Sequence, residues 1–166
     1  FDDIFNDETF DFIWTNGVLH HTKNPKLAFD IVSKYLKKNG YILVGLYNRY
    51  GRLRTLIRRF LYKIFGKNIV MILDPTLRNL KKRNSNQIKS WIRDQYEHPV
   101  ESLHTLDEVL LWFENNNIEF INSIPACDLE SNYEKSLFKK SSTGTFLSRL
   151  ISQFSMLFNN LGTDGG

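Results

Sequence analysis

The apolar positions change period in a definite order along the chain. Phe10, Phe12, Ile13 and Trp14 form a short run rich in aromatic and β-branched residues, which predicts a strand. Its nearly unbroken apolar character predicts cover on both faces, as in a parallel sheet. The run stops at Asn16-Gly17, a dipeptide that takes positive φ readily. Asn24-Pro25 then opens a helix, with Leu27, Ala28, Ile31, Val32, Tyr35 and Leu36 at helical spacing. Lys34, Lys37 and Lys38 suit the negative end of its dipole, and Gly40 of Asn39-Gly40 is expected to supply a left-handed cap. Tyr41 to Leu46 is a second buried strand. Strand, helix and strand in this order predict a right-handed crossover between two parallel strands. Polar groups at the end of a buried strand mark the ligand-facing edge of an open α/β sheet.

Beyond the second strand the pattern turns helical. From Arg52 to about Phe65, Leu53, Leu56, Ile57, Phe60, Leu61, Ile64 and Phe65 share one face, while Arg54, Arg58, Arg59 and Lys63 share the other. Gly66 ends this helix. The short apolar run Ile69 to Leu73, closed by Asp74-Pro75, fits helix or strand equally. Ser85 is a plausible N-cap for a helix through Arg93, and Asp94 to Pro99 reads as a loop. Thr105 with Glu108 has the form of a capping box before the buried face Val109, Leu110, Trp112 and Phe113. Ile118 to Ile124 predicts a third strand. Residues 1–9 and 125–144 read as irregular surface connections. A final helix from about Thr145 to Leu161 carries the stripe Phe146, Leu150, Phe154, Leu157 and Leu161, expected to pack on the sheet.

A length of 166 residues sets the scale at about one domain. No run reaches the roughly 18 continuous apolar residues of a membrane span. The acidic opening Phe1-Asp2-Asp3 is unlike a signal peptide, and with no initiator Met the sequence reads as an internal piece of a longer chain. The single cysteine, Cys127, fits a reducing, cytoplasmic setting and reads as a bystander thiol. The formal net charge of +4 hides an asymmetry: Arg49 to Arg93 holds thirteen Lys or Arg and one acid, Asp74, leaving nine basic and seventeen acidic residues elsewhere. Such a segment is a solvated face or a contact for an acidic partner: anionic lipid, nucleic acid or an acidic substrate. The helix Arg52–Phe65, basic on one side and apolar on the other, also suits peripheral contact with a membrane surface.

Several separate blocks share a likeness. Phe10-Asp11-Phe12-Ile13, then Gly17-Val18-Leu19-His20-His21-Thr22, Pro25, and Leu36-Lys37-Lys38-Asn39-Gly40-Tyr41-Ile42-Leu43-Val44 occur in order. Together they resemble the second half of class I S-adenosylmethionine-dependent methyltransferases, from strand four to strand five. Lys38-Asn39-Gly40 stands where Pro-Gly-Gly is usual in that family. Gly45 to Arg52 looks like the strand-five exit of a small-molecule branch, and Asp94-Gln95-Tyr96 with Pro99, then Thr105 with Glu108, is similar to that branch's cap region. The resemblance covers about residues 5–125. It implies an α/β fold of Rossmann-like, three-layer α/β/α type, here incomplete. The family's glycine-rich cofactor loop and ribose-binding acid would lie upstream of Phe1, and its last strand beyond Gly166. On that basis the chain by itself is expected to be inactive and to bind no S-adenosylmethionine. Residues 1–125 would be the carboxyl-terminal half of the domain, with a basic lid at 49–93 whose apolar face turns inward. Residues 126–166 would add a linker and an amphipathic helix.

The resemblance also assigns candidate residues. Asn16, Gly17, Val18 and Leu19 would line S-adenosylmethionine with backbone and apolar contacts. His20 or His21 would face the substrate cleft, where a pKa near neutrality suits a general base; packing the loop is the equal alternative. Tyr47 and Asn48, at the second strand's exit, would orient a substrate hydroxyl or carboxylate, or simply form a turn. Tyr50, Tyr96 and His98 are the remaining substrate-side candidates. Adjacent histidines diverge and have no third ligand at metal spacing, so no metal is expected. The acceptor implied is a small or lipid-like molecule. An RNA or tRNA methyltransferase is the alternative enzyme, and a non-catalytic scaffold docking a partner through the basic segment is the alternative of another class. The oligomeric state is not written in these patterns.

Overall fold

A computed structural model describes residues 9–80, 85–97, 101–129 and 138–158. Strand β1 (Phe10–Asn16) lies parallel to β2 (Leu36–Gly45), with helix α1 (Pro25–Ser33) between them in sequence. The register runs from Phe12 opposite Tyr41 to Asn16 opposite Gly45, after a slip that leaves Phe10 opposite Leu36. This is the expected α/β crossover, and the arrangement is an incomplete Rossmann-like α/β fold. The start of α1 is also as predicted: Pro25 occupies its first turn, and Asn24 Oδ1 accepts from Leu27 N at 3.0 Å.

Three expectations about this unit need correction. Helix α1 ends at Ser33, so Leu36 and the lysines after it belong to β2. The positive φ falls on Asn39 (65°), while Gly40 serves close approach instead. A Cβ at Gly40 would stand 2.9 Å from the Asp11 backbone oxygen. Cover on both faces is not seen either. Among the described residues, the β1 face bearing Phe10, Phe12 and Trp14 is exposed, and only the face bearing Ile13 and Thr15 is shielded. The covered side holds the core of Leu19, Phe29 and Trp112, joined by Ile42, Val44, Leu46 and Phe113. Phe29 sits 5.8 Å from Trp112 and 5.7 Å from Phe113, ring to ring, which locks α1 onto α6 (Leu106–Asn115).

From Leu53 on, the described residues of the basic segment fold mainly as helices: α2 (Leu53–Phe65), α3 (Lys67–Leu73), α4 (Pro75–Leu80) and α5 (Ser85–Tyr96). The ambiguous run Ile69 to Leu73 is therefore helical, and Asp94 to Tyr96, read as loop, extends α5. These helices enclose a second core of Val70, Leu77, Ile92 and Tyr96. Its organising group is Asp74. One Asp74 oxygen caps α4 by accepting from Thr76 N (2.8 Å) and Leu77 N (3.3 Å). The other accepts from Trp91 Nε1 (2.8 Å) and the Tyr96 hydroxyl (2.7 Å).

Two amphipathic helices lie the other way round from expectation. Helix α2 turns Arg52, Thr55, Arg59 and Tyr62 inward and leaves Leu53, Leu56, Ile57, Phe60 and Ile64 exposed. Helix α7 (Phe146–Ser155) buries Ser152 and Gln153, while Phe146, Ile151 and Phe154 are exposed. In both, hydrogen bonds and ion pairs at specific partners outweigh apolar burial in setting the face. Gln153 shows how. Its Oε1 accepts from Asn48 Nδ2 and Leu106 N, each at 2.9 Å, and its Nε2 donates to Arg149 O. The predicted strand Ile118 to Ile124 is absent: the segment is irregular, and Ile121 O accepts from Ser141 N at 2.7 Å.

Candidate functional site

The carboxyl ends of β1 and β2 each release a loop, and residues 101–104 tie the two loops together. Ser102 N donates to His20 O (2.9 Å), His104 N to Tyr47 O (2.9 Å) and Arg49 N to His104 O (2.9 Å). The post-strand loops are thereby held side by side, as an open α/β sheet requires of its ligand edge.

After β1, Asn16 folds its side chain over β2. Gly45 permits this, because a Cβ there would sit 1.9 Å from Asn16 Oδ1. Gly17 turns the chain at φ 75° with open space around it, and Val18 is exposed. Leu19 points the opposite way into the core and anchors this ledge. Gly17 and Val18 thus present backbone and a small apolar surface outward, with Leu19 behind them.

His20 is 1% exposed, and neither ring nitrogen has a hydrogen-bond partner among the described residues. Its ring stacks on Tyr47 at 3.9 Å between centroids and lies 4.2 Å from the ring of His21. Burial and the neighbouring His21 hold its pKa down at about 4, so the ring is neutral at pH 7. His21 is part-exposed and meets the edge of Tyr47 at 5.9 Å. The opposite neighbour of Tyr47 is Arg52, whose guanidinium lies 3.8 Å from the ring centroid.

This burial makes stability depend on pH. In the folded protein His20 protonates near pH 4, against about 6.5 when unfolded, so between these values the unfolded chain binds the extra proton. Stability should therefore rise with pH across that window and be lost again on acidification, by about 3 kcal/mol from this group. Chemical denaturation at pH 5 and pH 7.5 checks this. His20→Phe, which keeps the ring and removes the titration, should flatten the difference.

Asn48, Tyr50 and Tyr96 each make contacts within the fold. Asn48 Oδ1 accepts from Tyr50 N and Gly51 N at 3.0 Å each, and its Nδ2 donates to Gln153 Oε1 at 2.9 Å. Tyr50 stacks on Phe154 of α7 at 4.5 Å. Tyr96 lies in the second core, where burial and the Asp74 carboxylate push its hydroxyl pKa up. His98 falls outside the described residues. Cys127 is buried, and burial raises its thiol pKa, so it remains a thiol. Among the described residues no cluster of His, Cys, Asp and Glu converges as a metal site would.

Sequence reasoning passed over the groups that hold the site. Arg52 and Glu101 form an ion pair at 2.9 Å with side chains 1% and 4% exposed. Arg52 Nη1 also donates to Gln95 Oε1 at 2.9 Å, and Arg59 pairs with the second Glu101 oxygen. Burial alone would raise the Glu101 pKa. The Arg59 hydrogen bond and the Arg52 charge outweigh it and hold the carboxyl below its usual range. Beside this pair, Ser102 Oγ lies 2.7 Å from His104 Nε2, and His104 Nδ1 lies 2.9 Å from Glu108. Glu108 therefore serves His104, and the Thr105 cap works alone, accepting from Glu108 N at 3.2 Å. The available signal was spacing: Arg52 and Arg59 are seven apart, on one helix face.

Two parallel strands joined by a helix, with their exit loops held side by side, define an α/β domain of the open-sheet class. The sequence matches the methyltransferase domain over residues 2–123, and the chain belongs to that family. No curated protein matches the chain.

Proposed function

We propose that the protein transfers the methyl group of S-adenosylmethionine to a small-molecule or lipid-like acceptor at the carboxyl ends of β1 and β2. The observation that carries this reading is the placing of the Gly17-Val18 ledge and the His21–Tyr47 pair at the same strand ends. Bound S-adenosylmethionine supplies an electrophilic methyl on a sulfonium; the protein's part is alignment, dryness and proton removal. Gly17 and Val18 would hold the adenosyl group. Arg52 and His20 clamp Tyr47 from two sides, so that its ring forms a fixed wall. His21, the more exposed imidazole, would take the proton of an acceptor hydroxyl or amine.

The test uses the full-length protein with methyl-labelled S-adenosylmethionine. Label is expected in the small-molecule or lipid-extractable fraction. Label appearing only in tRNA, with binding lost steeply as salt rises, would decide for the RNA reading. His21→Ala should slow transfer about a hundredfold at pH 7 while calorimetric cofactor affinity holds. An unchanged rate would remove His21 from the proton path.

A further inference from the structure

We propose that helix α2 docks the protein on an anionic lipid surface, lying in the plane of the interface with its apolar row immersed. The orientation of the helix carries this, and it is independent of which acceptor is methylated. Leu53, Leu56, Ile57, Phe60 and Ile64 form one exposed row, with Phe60 63% exposed, and Phe65 continues it at the end of the helix. Ile72 and Leu73 of α3 are exposed as well. At 1.5 Å per residue the thirteen-residue helix offers a ridge of about 20 Å.

The charges around this row are sorted by sign. Two acids near α2 are turned inward and paired, Glu101 with Arg52 and Arg59 and Asp74 with Arg58 at 3.7 Å; a third, Glu97, is exposed and accepts from the hydroxyl of Tyr62, on the side of the helix away from the apolar row. Apart from Asp74, residues 52–80 contain no acid. Arg54, Lys63 and Lys67 remain exposed beside the apolar row. An apolar ridge flanked by cations complements a bilayer with anionic headgroups. A second copy of the chain would bring cations against cations, and a nucleic acid would leave Phe60 and its neighbours without an apolar partner. Among the described residues no helix is long and apolar enough to cross a membrane, so the contact would be peripheral.

The experiment is co-sedimentation of the full-length protein with phosphatidylcholine vesicles, with and without phosphatidylglycerol. Pelleting is expected with the anionic vesicles and should weaken with salt. Ile57→Asp with Phe60→Asp should reduce partitioning at least about tenfold. Arg54→Glu with Lys63→Glu should abolish the preference for anionic vesicles. Since these side chains point outward, both variants should keep the parent melting temperature. Failure to pellet, or pelleting unchanged in both variants, overturns the proposal. So does concentration-dependent dimerisation that Ile57→Asp with Phe60→Asp removes without any vesicle binding. Salt-sensitive tRNA binding in place of vesicle binding overturns it too.

Discussion

Glu101→Gln should cost the fold about 3–5 kcal/mol, because it leaves the Arg52 guanidinium buried without its counter-charge. For a domain of this size that is a fall in melting temperature of roughly 6–20 °C. Arg59 also loses its carboxylate, but it is partly exposed and can turn toward water. The pair's own net worth is smaller than the damage from breaking it. Arg52→Met combined with Glu101→Leu should therefore recover most of the loss, and a double-mutant cycle by chemical denaturation measures the coupling. The pH response has a definite sign. With its pKa held below the reference value of 4.5, Glu101 stabilises fully above that pH, and the contribution fades as pH falls below it. The effect should also reach the site. Arg52 lies on Tyr47, so Glu101→Gln should loosen that ring and broaden its ring signals in NMR spectra.

Asp74→Ala is the second large effect, at about 4 kcal/mol or more. One carboxylate serves two backbone amides, the Trp91 indole and the Tyr96 hydroxyl, with Arg58 nearby. Removing it leaves buried donors unpaired, each costing roughly 1–3 kcal/mol. It also strips the cap of α4. Asp74→Asn keeps the shape and one acceptor oxygen, and should cost about half as much. Thermal melts followed by Trp91 fluorescence would show both losses. Because Asp74 organises the helical segment rather than the sheet, hydrogen exchange should rise in α3 to α5 while β1 and β2 stay protected.

The local rules were legible where a signal acts over a few residues. Asn24-Pro25, Thr105 and Gly66 mark helix ends through short-range geometry, and each does so in the structure. Glycines were harder to read, because glycine serves both positive φ and close approach. Gly40 and Gly45 prove to be packing positions against β1, which no window of sequence contains. The candidate site was half legible. His20, His21 and Tyr47 do come together, since neighbouring parallel strands deliver their exit loops to one edge of the sheet. Glu101, Ser102 and His104 were missed because they lie more than fifty residues from Tyr47 and arrive by tertiary pairing.

The sequence alone determined the β–α–β crossover, the helix starts at Asn24-Pro25 and Thr105 and the methyltransferase likeness, all of which rest on periodicity, caps and ordered motifs. Only the tertiary structure decided which face of each amphipathic helix turns inward. Periodicity shows that α2 and α7 have two unlike faces. It does not contain the buried carboxylates of Glu101 and Asp74, or the Asn48 amide that meets Gln153. Those distant partners satisfy the polar face of each helix, and a satisfied polar face can be the buried one.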